Sequence, residues 1–144
     1  MSAFAVTRAY HFSAAHQLAN PALSDEENAR IYGQCFRQHG HNYGLDVTVA
    51  GALDPVTGMS VDLSVVDVAV KTAVLDRVDH YDLSATVPAL AGVITTGENL
   101  ARVFYQWLEA ALPPGVLRRV TLVETANNVF EYSGESHADE VIPR

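Results

Sequence analysis

Phe4, Val6, Arg8, Tyr10 and Phe12 alternate with smaller residues, a period of two that predicts a first strand. A polar stretch with Asn20-Pro21 follows, and Ser24-Asp25-Glu26-Glu27 has the form of a capping box, opening a short helix that stops near Gly33. The period of two returns from His39 to Ala50. His39, His41, Tyr43, Leu45, Val47 and Val49 fall on one face, and Gly40, Asn42, Gly44, Asp46 and Thr48 on the other. Asp54 to Gly58 predicts a turn, with Met59 to Leu63 as the returning strand of a hairpin. Ser64, with Asp67, caps a predicted helix to about Val78, with Val66, Val70, Ala73 and Val74 inward. Asp79 to Gly97 reads as a loop. Leu100, Val103, Phe104, Trp107, Leu108 and Ala111 then form a helical stripe that Pro113-Pro114-Gly115 ends. Val116, Arg118, Val120, Leu122 and Glu124 alternate as a long strand, and after Asn127-Asn128 a short strand runs from Val129 to Tyr132. This order predicts an α+β fold, with helices packed on one face of an antiparallel sheet.

Composition narrows the class. The 144 residues make one ordinary domain, expected over 1–144 with a loose tail from about 136. With 49% hydrophobic and 18% charged residues, the chain can bury a core. A net charge of −8 opposes any role in wrapping nucleic acid. The longest apolar stretch, Val61 to Val78, is broken by Asp62, Asp67, Lys71, Asp76 and Arg77, so no membrane span is expected. Cys35 is the single cysteine, and Met1 to Phe12 lacks the basic and apolar regions of a signal peptide. Both features predict a reducing, cytoplasmic setting.

The histidines carry the strongest chemical signal. His39 and His41 stand two apart on a strand, on the same face and roughly 6.7 Å apart along the backbone. His16 ends the first strand and supplies a candidate third ligand. Three neutral imidazoles leave the fourth position of a zinc site open, as catalysis needs; a half-buried pair of strand histidines is the plainer reading. Cys35 lies four residues before His39, and a thiolate beside a cation can act as base or nucleophile, although a lone cysteine is more commonly a small buried hydrophobe. Asp79-His80 can form an oriented proton shuttle or simply end a helix. Glu124, in line with Val120 and Leu122, either reaches water at a strand end or accepts paired N–H groups from a ligand.

These motifs occur together in one known order. Phe12-Ser13-Ala14-Ala15-His16, Ser24-Asp25-Glu26-Glu27-Asn28, Gly33-Gln34-Cys35, His39-Gly40-His41-Asn42-Tyr43, Asp54-Pro55-Val56-Thr57-Gly58-Met59, Asp79-His80, Gly97-Glu98-Asn99 and Glu124-Thr125 follow one another. From about Phe4 to Glu135 the chain resembles the 6-pyruvoyltetrahydropterin synthase and 6-carboxytetrahydropterin synthase family. The resemblance implies zinc bound by His16, His39 and His41, a catalytic thiol at Cys35, and Asp79 with His80 completing proton transfer. It also implies a pterin anchored by Glu124 and lined by Thr95, Thr96 and Glu98. The implied substrate is 7,8-dihydroneopterin triphosphate, for whose phosphates Arg37 and Lys71 are candidates. The implied fold is the tunnelling fold, with a four-stranded antiparallel sheet and two helices on one face. Trimers close it into a barrel, two trimers stack into a hexamer, and the active sites lie between subunits.

The Cys-x3-His-Gly-His spacing is that of the bacterial 6-carboxytetrahydropterin synthases of 7-deazaguanine and queuosine synthesis, whereas the animal biopterin enzymes carry two more residues there. The expected activity is therefore a zinc-dependent lyase that forms 6-carboxy-5,6,7,8-tetrahydropterin and releases triphosphate and acetaldehyde. Ser24 to Asn28 and Pro113 to Leu117 look more like the biopterin type, and Gly97 stands where that type has a second threonine. The alternatives are a 6-pyruvoyltetrahydropterin synthase of tetrahydrobiopterin-type synthesis, a non-catalytic pterin-binding protein and a zinc buffer. The expected partners are the substrate and further copies of the chain.

Overall fold

The computed structural model describes residues 3–135. The predicted tail from about 136 lies outside them. Strand β1 (Ala3–His16) leads to helix α1 (Asp25–Tyr32) and a 3-10 turn at Gly33–Phe36. Strand β2 (His39–Ala52) precedes α2 (Leu63–Val70), a π turn at Lys71–Leu75 and the short α3 (Asp76–Val78). After a 3-10 turn at Pro88–Leu90 come α4 (Gly97–Ala111), β3 (Leu117–Thr125) and β4 (Asn128–Tyr132). The four strands form one antiparallel sheet in the order β1-β2-β3-β4.

The strand alternation becomes the two faces of this sheet. Phe12, Ala14 and His16 from β1, Tyr43 to Val49 at odd positions of β2, and Val120 and Leu122 from β3 are buried beneath the helices. Val66, Val70, Ala73 and Val74 face this layer from α2 and the π turn, as the 3.6-residue period predicts. In α4 the buried stripe is Leu100, Ala101, Phe104, Tyr105 and Leu108. Ala111 is exposed, because Leu112 beyond the helix end takes the last inward place. Each fully covered Leu, Val or Phe contributes about 1.5–3 kcal/mol relative to exposure.

Two local expectations fail. Met59 to Leu63 forms no strand: β1 pairs with one edge of β2 along its whole length, and on the other edge β3 takes Gly44 to Val49 and Val116 O accepts the Ala50 N–H. Val61 instead packs its side chain against the core. The cap of α2 is Asp62, not Ser64: its Oδ1 accepts the Ser64 N–H at 3.0 Å and the Ser64 hydroxyl at 2.6 Å. Asp67 does not cap either. It receives a bidentate pair from Arg8, at 2.6 and 2.9 Å, and the Tyr10 hydroxyl at 2.6 Å, and so ties α2 to β1. Ser24 caps α1 as expected, accepting the Glu27 N–H at 3.1 Å. No helix among the described residues is long and apolar enough to cross a membrane.

Candidate metal centre and active site

Register builds the histidine cluster. Antiparallel pairing sets His16 directly opposite His39, and Ala14 opposite His41. All three imidazoles therefore project from the helix-covered face at the end of the hairpin. Ring centroids are 4.5 Å apart for His16 and His39, 5.1 Å for His16 and His41, and 4.9 Å for His39 and His41. One ligand atom from each ring lies within 4.8 Å of the others.

Two of the rings are also held in the required tautomer. A carbonyl oxygen only accepts, so His16 donates Nδ1–H to Thr95 O at 3.0 Å, and His39 donates Nδ1–H to Arg37 O at 2.7 Å. Each neutral ring then keeps the Nε2 lone pair for a ligand, the usual outer support of a metal-binding imidazole. Nε2 of His41 is buried with no hydrogen-bond partner among the described residues, and such an orphan atom calls for an explanation that a cation supplies. Burial holds His16 and His41 below the ordinary imidazole value. Neutral imidazole is the ligating form. The donor set therefore fits one divalent cation.

The acid–base candidates are carried by turns. Cys35 sits half-buried in the 3-10 turn, and its carbonyl accepts the Leu18 N–H at 2.9 Å. That bond ties the cysteine turn to the chain two residues beyond His16. His80 stands at φ 66°, which is left-handed backbone and costly for a residue with a Cβ. Its N–H donates to Ser13 O at 2.6 Å, and Asp79 Oδ1 accepts both the Ser13 N–H at 3.0 Å and a bond from His80 Nδ1 at 2.9 Å. The segment then adds to the outer edge of β1, with Ala15 N–H donating to Tyr81 O and Leu83 N–H to Ala15 O. The His80 side chain remains 82% exposed. His41 and His80 line one cleft of about 490 Å³ together with Ser13, Gly40 and Asp82. Cys35 is not among its lining residues.

Glu124 ends the buried line of Val120 and Leu122 and is half-buried. Its one hydrogen bond among the described residues is a long one, 3.4 Å from Asn128 Nδ2 to Oε1. The carboxylate thus has acceptor capacity free for paired donors. Its charge opposes the effect of burial on His16 and His41, which places it in the same electrostatic environment as the cluster.

The remaining candidates separate. Thr95 is buried against His16, and its hydroxyl lies 3.1 Å from that of Ser84. Thr96 caps α4, accepting the Asn99 N–H at 3.3 Å. Glu98 is exposed in the first turn of α4. Arg37 is exposed, and Lys71 is paired with Asp76 at 2.9 Å. Sequence reasoning passed over Tyr43 as a core residue. Its buried ring stacks on Phe12 with centroids 4.8 Å apart, and its hydroxyl stands 3.5 Å from both nitrogens of His16. The available signal was a phenol within an aliphatic strand, which needs a polar neighbour.

Comparison with known proteins bears on the family and the fold. The family described as 6-pyruvoyl tetrahydropterin synthase matches residues 5–135. The 6-pyruvoyl tetrahydrobiopterin synthase of Pongo abelii is 43% identical over 132 residues, which is 90% of this chain and 91% of the relative. The 6-carboxy-5,6,7,8-tetrahydropterin synthase of Synechocystis is 30% identical over 131 residues, covering 88% of this chain and 91% of the relative. The solved structure of Caenorhabditis elegans 6-pyruvoyl tetrahydropterin synthase superimposes with a TM-score of 0.89 at 37% identity, covering 94% of this chain and 98% of that one. The fold is the tunnelling fold implied by the resemblance. Whole-chain identity favours the pyruvoyl type over the carboxy type, which reverses the preference drawn from the Cys35–His39 spacing.

Proposed function

The chain belongs to the 6-pyruvoyl tetrahydropterin synthase family, and on that premise we propose that it is a zinc-dependent lyase converting 7,8-dihydroneopterin triphosphate to 6-pyruvoyltetrahydropterin and free triphosphate. The observation that carries the reading is the trio of converging imidazoles, with Nδ1 of His16 and His39 engaged by carbonyls and Nε2 of His41 buried without a partner.

His16, His39 and His41 hold the zinc. When bound, the metal supplies Lewis acidity that polarises the substrate side-chain hydroxyls and acidifies the adjacent C–H. Cys35, as thiolate, takes the proton from the side-chain carbon next to the ring. His80 passes protons between the side-chain oxygens and the ring, and Asp79 keeps its Nδ1 engaged so that Nε2 faces the reacting groups. Triphosphate leaves with the bonding electron pair, the two hydroxyl-bearing side-chain carbons become carbonyls, the third becomes a methyl and the ring gains the tetrahydro state, so no external oxidant or reductant is needed. Glu124 accepts from the 2-amino group and N3–H of the pterin, fixing the reacting carbon near the base. Thr95, Thr96 and Glu98 lie along the adjoining segment, with Thr95 acting through His16.

Within one chain Cys35 and His80 lie on separate turns, and the outer edges of β4 and of β1 before Ser13 carry no strand partner among the described residues. Both features support a homo-oligomer in which β-edges pair between copies, closing trimers and stacked trimers with sites between subunits. The acidic chain and lone cysteine support a cytoplasmic enzyme without nucleic-acid or membrane partners.

The Cys-x3-His spacing supports a second reading, 6-carboxytetrahydropterin synthesis with release of acetaldehyde. Incubation of the zinc-loaded protein with 7,8-dihydroneopterin triphosphate, followed by product analysis, separates the two. The expected result is triphosphate with 6-pyruvoyltetrahydropterin and no acetaldehyde. Stoichiometric acetaldehyde assigns the carboxy reaction, and an unchanged substrate that nevertheless binds leaves a pterin-binding protein.

A further inference from the structure

Gly97 opens α4 and is buried. A Cβ built on it would overlap the Phe130 ring at Cγ, Cδ2 and Cε2. Its backbone is not left-handed, so glycine is not required there for its conformation. Glycine is also a poor helix former. Space for the ring is what this glycine supplies. Phe130 is fixed on its other side by the sheet: it pairs with Leu122 across β3 and β4 and packs against the core. The ring and the glycine therefore form a plug and socket joining the start of α4 to β4.

The socket is two residues from the support of a candidate metal ligand. Thr96 caps the helix through the Asn99 N–H, and Asn99 Nδ2 donates to Ile94 O at 2.9 Å, so residues 94–99 are bonded into one unit. Within that unit Thr95 presents its carbonyl to His16 Nδ1–H. His16 is fully buried and cannot exchange this bond for water. Moving the start of α4 moves that carbonyl.

We propose that Phe130 and Gly97 are positioning residues for the metal centre, setting the Thr95 carbonyl that keeps His16 in its Nε2-ligating tautomer. The inference rests on the metal-site reading above. Ring substitution at residue 130 is thus coupled to the residue that opens α4, and the two positions set ligand geometry together.

The test uses the full chain, with zinc ion as the probe, in the wild type, Gly97→Ala and Gly97→Ala/Phe130→Leu; leucine removes the ring and leaves room for the added methyl. The tautomer of His16 is read in the metal-free protein by nitrogen NMR, zinc affinity by chelator competition, and folding by thermal unfolding. Gly97→Ala should show mixed His16 tautomers and zinc binding weakened at least about tenfold, the lower end for loss of an outer-shell partner. The double variant should recover the single tautomer and bind zinc within about threefold of wild type, above that tenfold effect. A folded Gly97→Ala with wild-type tautomer and affinity overturns the proposal, as does a double variant no better than the single. If Gly97→Ala does not fold, Phe130→Leu alone decides: mixed His16 tautomers with weakened zinc binding sustain the proposal, and wild-type tautomer and affinity overturn it. Loss of stability with an unchanged tautomer makes the contact ordinary core packing and overturns it as well. Failure of the wild type to bind zinc, with a His16 tautomer that still responds to Gly97→Ala, overturns the metal reading and leaves the positioning intact.

Discussion

The histidine cluster and the proposed acid–base residues are built by different means. His16, His39 and His41 stand on two paired strands, and their convergence follows from register, with His16 facing His39 across the ladder. Two of the rings are held through Nδ1 by main-chain carbonyls. Cys35 and His80 stand on turns, one in a 3-10 turn and the other at positive φ with an exposed ring. Rigid elements give a ligand set its precision, whereas turns can offer side chains to a space that another copy of the chain completes. One chain therefore brings its three candidate ligands together by itself, while Cys35 and His80 stay on separate turns.

The most severe way to break this contrast is to remove the ligands. His39→Ala/His41→Ala should reduce bound zinc from about one per chain to background, because one remaining imidazole cannot hold the ion. Metal analysis of the purified variant checks this, alongside circular dichroism, which should stay native since the buried side chains of β2 begin at Tyr43. Full zinc retention would remove these histidines from the ligand set.

Cys35→Ala should separate the two regions. Zinc content should stay at wild-type level while kcat falls by roughly a hundredfold to ten-thousandfold, the range for a positioned base. Paired zinc and steady-state measurements make the comparison. A near-wild-type kcat moves the base to His80.

The contrast also explains what could be read from the chain. A period of two across His39 to Val49 put two histidines on the face that does become the buried one. The same period misled at Met59, Val61 and Leu63, because alternation marks a side chain's burial and does not reveal which strand edge is already taken; β1 holds one edge of β2, and β3 with Val116 holds the other from Gly44 to Ala50. Asp62 and Ser64 both suit a helix cap, and only the observed bonds choose Asp62. The positive φ of His80 goes with its N–H bond to Ser13 O, 67 residues away in the order of the chain, and no local pattern encodes it. The Cys35–His39 spacing is one loop's length. It pointed to the carboxy type, whereas similarity along the whole chain points to the pyruvoyl type.

Glu124→Gln should have a smaller effect, confined to ligand binding. The substitution keeps the shape but replaces one acceptor with a donor facing a ligand donor. A charge-assisted bond is worth about 1.5–3 kcal/mol, so pterin affinity should fall at least about tenfold at 1.4 kcal/mol per decade. Calorimetry with a dihydropterin measures it. Zinc content should not change, since the carboxylate is absent from the ligand set. Unchanged affinity makes Glu124 an ordinary strand-end charge.

The smallest expected effect is on the stability of the metal-free protein against pH, and its sign is fixed by the cluster. Burial is the largest influence lowering the pKa of both His16 and His41 from the ordinary 6.5. For His16 the bond to Thr95 opposes it, neighbouring His39 and His41 add to it, and Glu124 opposes it; for His41 Glu124 opposes it and His39 adds to it. Below the ordinary value the unfolded chain binds protons that these folded rings still refuse. Stability therefore rises with pH in that window and is lost as pH falls through it. The unfolding temperature of the metal-free protein should decline from about pH 7.5 to about 5.5, a range that brackets the ordinary imidazole value. A His16→Gln/His41→Gln variant should show a shallower decline, because it removes both buried bases, and Glu124→Gln a steeper one, because it removes the charge that makes protonation of those rings less costly. Equal slopes in all three proteins would mean that the buried imidazoles do not govern acid stability, and with them would go the electrostatic link between Glu124 and the metal centre.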